Sequence, residues 1–171
     1  MRELLPGAVG VDHIGSTSVP GLAAKDCLDV MVQVRDLADL AVGAALESHG
    51  YRRRPEPWNS EEVSYGVSCP KQVFAAAAGG RPCNIHVRVQ GGLNVRYALL
   101  FRDFLTADRQ AALAWGRFKA RLAGSVPDLA DYGQIKAGAQ EVLMLSAERW
   151  ATAAGWCPPR CPCHGEPVDN R

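Results

Sequence analysis

The chain has 171 residues, 47% of them hydrophobic and 22% charged, with a formal net charge of +1. That is enough for one domain with its own core, and the near-neutral balance argues against a dominant nucleic-acid surface. No apolar run approaches the roughly 20 residues of a membrane span, and Met1–Pro6 lacks the apolar core of a signal peptide, so no membrane partner is expected and the expected setting is the cytoplasm.

Residues 1–8 give little. Val9, Val11 and Ile14 then make an extended segment that stops at Gly15. Ser16, Thr17 and Ser18 are good N-caps and Pro20 suits a first helical turn, so a short helix is expected to about Ala24. Cys27–Val34 reads as a mostly apolar strand with Asp29 in it. Leu37, Leu40, Ala41, Ala44, Ala45 and Leu46 recur at helical spacing up to His49-Gly50. Arg52, Arg53 and Arg54 follow, either a solvated strand end or a phosphate grip.

Val63–Ser68 alternates weakly, as a strand would. Gln72–Ala78, bracketed by Pro70 and Gly79-Gly80, is expected to pair as a hairpin arm with Cys83–Val89. That second arm alternates cleanly, with Cys83, Ile85, Val87 and Val89 on one face and Asn84, His86 and Arg88 on the other. From Leu93 the period turns helical: one helix to Leu105, closed near Thr106 as a cap for the next, then Asp108–Leu122, then Asp131–Ala153. On this last helix Ile135, Ala139, Val142, Leu143 and Ser146 are the expected core stripe. Residues 1–154 thus read as the domain and 155–171 as a Pro- and Cys-rich tail, expected to be disordered. Cys157, Cys161, Cys163 and His164 offer soft metal ligands there, but not at the spacing of a standard zinc knuckle.

Two constellations carry chemistry. The Gly15-Ser16-Thr17-Ser18 turn offers N–H groups and small hydroxyls to an anion such as a triphosphate, and Asp29 could hold a divalent metal beside it. An ordinary capped turn with a surface Asp has the same residues. The Asn84-His86-Arg88 face is the second: His86 could bind a metal, move a proton or donate to phosphate and Arg88 could bind phosphate, or the face is a plain polar strand surface.

His13-Ile14-Gly15-Ser16-Thr17-Ser18-Val19-Pro20-Gly21-Leu22-Ala23-Ala24-Lys25, followed by Leu28-Asp29-Val30, resembles the signature of the GrpB family. Gly50-Tyr51-Arg52-Arg53, Asn84-Ile85-His86-Val87, Phe101-Arg102-Asp103-Phe104-Leu105 and Tyr132-Gly133-Gln134-Ile135-Lys136 agree, so the resemblance runs from about Val11 to Trp150. It implies an α+β (α/β) domain of the nucleotidyltransferase-like kind, a mixed sheet with flanking helices and a helical C-terminal segment. It also implies a longer helical segment before the motif than this chain has, which would leave one side of the sheet short of cover. Lys25, Lys119 and Lys136 match the family pattern as candidate phosphate ligands, and both Lys119 and Lys136 could equally snorkel from a helix face.

In some actinobacterial proteins a domain of this family follows dephospho-CoA kinase, as an accessory or folding-assisting domain. Nucleotidyl transfer uses two divalent ions on an Asp-x-Asp strand. Here Asp29 takes the first position, Met31 the second, and Asp26 falls on the other strand face. Two readings follow from the resemblance. One is a nucleotide- or phosphate-binding domain with weak or absent catalysis, partnered by a dephospho-CoA kinase domain. The other is an active nucleotidyltransferase with Mg²⁺ or Mn²⁺ on Asp29 and His86. Both place the site where the Gly15-Ser16 turn, Asp29 and His86 converge.

Overall fold

A computed structural model of the chain describes residues 4–159. In order it holds β1 (Ala8–Ile14), a 3-10 turn (Ser16–Ser18), β2 (Leu28–Val34), α1 (Ala41–Ser48), β3 (Arg52–Arg53) and a second 3-10 turn (Pro57–Asn59). Then come β4 (Glu61–Ser64), β5 (Val67–Pro70), β6 (Gln72–Ala75), β7 (Cys83–Val89), α2 (Leu93–Ala107), α3 (Arg109–Ser125) and α4 (Leu129–Ala154). Five strands form one mixed sheet in the order β1-β2-β7-β6-β3, and β4 and β5 pair with each other apart from it. β2 and β7 run parallel, Asp29 opposite Asn84 and Met31 opposite His86, while the remaining pairs are antiparallel. This is the expected α+β class, with a mixed sheet, flanking helices and a helical C-terminal half.

Period-two alternation divides β2 between two layers. Val30, Val32 and Val34 face the side where Leu5, Val42, Leu46, Phe74, Ile85 and Val87 close a core. Leu5 and α1 therefore cover this face of the sheet. Met31, on the other face, is fully buried with Ile14, Val95 and Leu99. Beyond it α2, α3 and α4 pack on each other through Leu100, Phe104, Trp115, Met144 and Ala147. Each fully buried aliphatic or aromatic side chain contributes about 1.5–3 kcal/mol.

Several local expectations are corrected. The helix expected up to Ala24 is a single 3-10 turn without a side-chain cap. Gly21 turns the chain at φ +74°, the Leu22 N–H closes that turn onto the Val19 carbonyl, and Val19 and Leu22 pack into the helical core. α1 starts at Ala41, not Leu37, and buries Val42 and Leu46, leaving Leu40 71% exposed. The expected strand Val63–Ser68 is two strands around a Tyr65-Gly66 turn, and β6 ends at Ala75. Asp108, not Thr106, caps α3 by accepting from the Ala111 N–H, while the Thr106 hydroxyl donates back to the Arg102 carbonyl.

The stripe expected on α4 holds in part: Ala139 and Leu143 pack on the helical core, while Ile135, Val142 and Ser146 face solvent and Met144, Ala147 and Ala151 are the residues buried against α2 and α3. Among the described residues no helix is long and apolar enough to cross a membrane. Cys161, Cys163 and His164 of the suggested zinc tail lie outside the described residues.

Candidate functional site

Gly15 ends β1 with φ +72° and ψ −167°, a conformation essentially reserved for glycine. The reason for the glycine is also spatial: a Cβ there would stand 2.6 Å from Oδ2 of Asp29. The antiparallel pairing of β1 with β2 brings the two together, Ile14 lying opposite Asp29. The turn residues divide their hydroxyls. Ser18 donates to the Gly15 carbonyl at 2.6 Å, and Thr17 meets His13 Nε2 at 2.9 Å. Ser16 alone of the three lines the cavity, and its Oγ accepts from Lys119 Nζ at 2.7 Å.

Asp29 is held on one oxygen. Asn84 Nδ2, across the parallel pair, donates to Oδ1 at 3.0 Å, and His86 Nε2 stands 3.5 Å from the same atom. Burial alone would raise the Asp29 carboxyl, but His86, Asn84 and Lys136 together hold it below the usual range, so it is ionised at neutral pH. Burial lowers His86 despite the help of Asp29, and Arg88 and Lys71 lower it further. His86 is therefore neutral near pH 7 and meets Asp29 as a hydrogen-bonding imidazole rather than an ion.

Three lysines gather near the turn. Lys119, 8% exposed, bridges the Ser16 hydroxyl and the Ala23 carbonyl, both at 2.7 Å. Burial, and then Lys136, draws it down to about 8. Lys136 is half-buried, lines the cavity and makes no hydrogen bond or ion pair among the described residues. Burial and Lys25 lower it while Asp29 raises it, and lowering wins. Lys25 is exposed, its ammonium 5.9 Å from the Tyr132 ring centre.

Arg88 is occupied elsewhere. Its Nε lies 2.8 Å from Oε1 of Glu62 and its Nη2 donates to Oε2 at 3.0 Å, a two-pronged pair between β7 and β4. Nη1 reaches the Asn94 carbonyl at 3.3 Å and the Met31 sulfur at 3.4 Å.

These groups open onto one cavity of about 760 Å³ between the end of the sheet, the β4–β5 hairpin and α4. Ser16, Asp29, His86 and Lys136 lie at one part of its lining; Tyr65, Tyr97 and Glu148 supply another. The Glu62, Tyr65 and Glu148 contributions lie outside the sequence reading. The turn dipeptide Tyr65-Gly66 between two short alternating runs was their one sequence signal.

The donor set does not fit a pair of divalent ions. Among the described residues Asp29 is the carboxylate that lines the cavity beside the turn, and Met31, in the expected second Asp position, is fully buried beneath Val95 and Leu99. Among the described residues no cluster of three or more His, Cys, Asp or Glu side chains is arranged to hold a metal.

Comparison with known proteins places the chain. The family model described as GrpB protein matches residues 1–144. A crystal structure of conserved protein GrpB from Enterococcus faecalis superposes with a TM-score of 0.66 at 25% identity, over 87% of this chain and 86% of that one. A protein named dephospho-CoA kinase from Mycolicibacterium paratuberculosis is 35% identical over 172 residues, covering 88% of this chain and 42% of that protein. A UPF0157 protein of Bacillus subtilis is 29% identical over 147 residues, covering 85% and 40% respectively. The chain thus spans about two fifths of the length of these two curated relatives.

Proposed function

This chain belongs to the GrpB family, and we propose that it binds a nucleotide or another phosphorylated small molecule at the Gly15-Ser16 turn, with weak or absent catalysis. The observation that carries this reading is Lys136: a half-buried ammonium on the cavity wall with no hydrogen bond or ion pair among the described residues. Asp29 offsets part of this charge at a distance, yet burial and Lys25 still disfavour the ammonium, and an anion in direct contact inside the cavity stabilises it. Lys119 acts through Ser16, fixing the turn, and Lys25 adds positive charge near Lys136. Thr17 and Ser18 shape the turn instead of reaching into the cavity, and Arg88 braces the hairpin.

Weak or absent catalysis follows from the buried Met31, since transfer by two ions requires the second carboxylate. Mg²⁺ or Mn²⁺ enters the proposal only as the ion that a polyphosphate brings, met by Asp29. The relatives named dephospho-CoA kinase support an accessory role beside such a kinase domain, because the matched segment is a minor part of them. An active nucleotidyltransferase is the second reading. It is favoured by one observation: Asn84 and His86 both fix Oδ1 of Asp29, an ordering that a scaffold alone does not need.

The test is thermal unfolding with ATP, dephospho-CoA and inorganic tripolyphosphate. A bound anion raises the melting temperature by mass action. Stabilisation that disappears in Lys136→Ala supports the site; no stabilisation by any of the three overturns it.

A further inference from the structure

β4 and β5 pair with no strand of the main sheet. A two-stranded hairpin alone is marginally stable in water, so its side-chain attachments decide where it lies. Those attachments are unequal. At the root Glu62 uses both oxygens: Oε1 ion-pairs with Arg88 Nε at 2.8 Å and accepts from Asn94 Nδ2 at 3.1 Å, and Oε2 accepts from Arg88 Nη2 at 3.0 Å and Lys71 Nζ at 3.2 Å. Asn94 Nδ2 also donates to the Pro70 carbonyl at 3.3 Å, tying down the far end of β5.

The tip is held differently. Tyr65 adopts φ +53° and Gly66 φ +76°, the pattern of a hairpin turn that ordinarily takes Asn or Gly first. A bulky residue in that region is strained, and such strain persists where the side chain has work to do. The work is visible. Tyr65 Oη donates to Oε1 of Glu148 on α4 at 2.5 Å, and the ring sits edge-on to Tyr97 with centres 5.3 Å apart. Arg96 holds the other oxygen of Glu148, fixing the acceptor in place. Beneath this bridge lies the cavity, with Val63, Tyr65 and Gly66 on the hairpin side and Gln140, Met144 and Glu148 on α4.

We propose that the β4–β5 hairpin is a strap over the cavity, hinged at the Glu62–Arg88 pair and latched to α4 through Tyr65 and Glu148, and that it opens at the latch to admit the ligand. The identity of the ligand rests on the reading above; the motion does not.

Hydrogen exchange on the ligand-free chain tests the motion. Tyr65→Phe removes the latching hydroxyl and keeps ring and turn, and Glu148→Gln leaves a weaker acceptor. Losing a hydrogen bond to a charged group should speed amide exchange at residues 64–67 about tenfold in Tyr65→Phe and less in Glu148→Gln, with β7 unchanged. Unchanged exchange at residues 64–67 overturns the latch, as does equal acceleration throughout the chain, which would mark a general loss of stability. Stopped-flow mixing with MgATP then reads the ligand: faster association and dissociation in Tyr65→Phe extend the strap to ligand entry. Tight strap behaviour without any ATP binding would leave the motion standing and remove the nucleotide reading alone.

Discussion

Gly15 and Asp29 touch across the β1–β2 pair so closely that a methyl group on the glycine would stand 2.6 Å from Oδ2 of the carboxylate. The backbone of the turn, at φ +72° and ψ −167°, forbids a side chain for a second and independent reason. Turn shape and carboxylate position are therefore one arrangement, and the candidate site depends on it.

Gly15→Ala should lower stability by about 1–3 kcal/mol from backbone strain alone, with displacement of Asp29 added. Urea unfolding measures it. Gly133→Ala is the control: it lies within α4 with open space around it, so it should be neutral or gain up to about 1 kcal/mol. Equal behaviour of the two variants would contradict the close approach.

Arg88→Ala separates two roles for this arginine. As the partner of Glu62 its loss leaves a half-buried carboxylate with Lys71 and Asn94 alone, and stability should fall by about 3 kcal/mol. Anion binding lost at unchanged stability would instead make Arg88 a phosphate ligand.

Acid sensitivity should track Glu62. Burial would raise its carboxyl, but Arg88 and Lys71 outweigh burial and hold it below the ordinary glutamate value. A depressed folded value means the unfolded chain binds the proton more readily, so this stabilisation is present above the unfolded value and fades as pH falls through the folded one. Glu62→Gln should flatten the acid limb of a stability–pH curve. An unaltered acid limb would contradict the pairing.

Alkaline pH should weaken anion binding. Burial, then Lys136, sets Lys119 at about 8, and a bound anion favours the protonated amine. Binding should therefore take up protons near that pH and weaken as pH rises through it. Calorimetry in buffers of different ionisation heat detects the uptake, and Lys119→Met should reduce it, the remainder belonging to Lys136. Affinity independent of pH across this range would contradict the lysine assignment.

The sequence exposed the parts of the site that are local. Asp29 stands out as the carboxylate of an apolar strand, and strict alternation placed Asn84, His86 and Arg88 on one face of β7, where Asn84 and His86 do meet Asp29. What it hid is tertiary. Arg88 has the chemistry of a phosphate ligand, and only folding reveals that Glu62 has taken it. The Tyr65–Glu148 bridge joins residues 83 positions apart, which no spacing rule anticipates.

The α4 face was misread in part, for a physical reason. Its buried surface joins Met144 to the small Ala147 and Ala151, with Ala139 and Leu143 beside them, while the larger Ile135 and Val142 remain outside. The segment after Ser18 had caps suited to a helix, yet Val19 and Leu22 gain more by packing into the helical core than a turn of isolated helix could supply.

The central claim is that Lys136 is the anion-binding cation of the cavity. Isothermal titration of ATP, GTP and CTP, each with Mg²⁺ or Mn²⁺, into wild type, Lys136→Ala and Asp29→Ala tests it most directly. The account predicts that at least one nucleotide binds wild type, that Lys136→Ala weakens it by about tenfold or more, and that the metal dependence is lost in Asp29→Ala. Absence of binding by every nucleotide, or undiminished binding to Lys136→Ala, would contradict it.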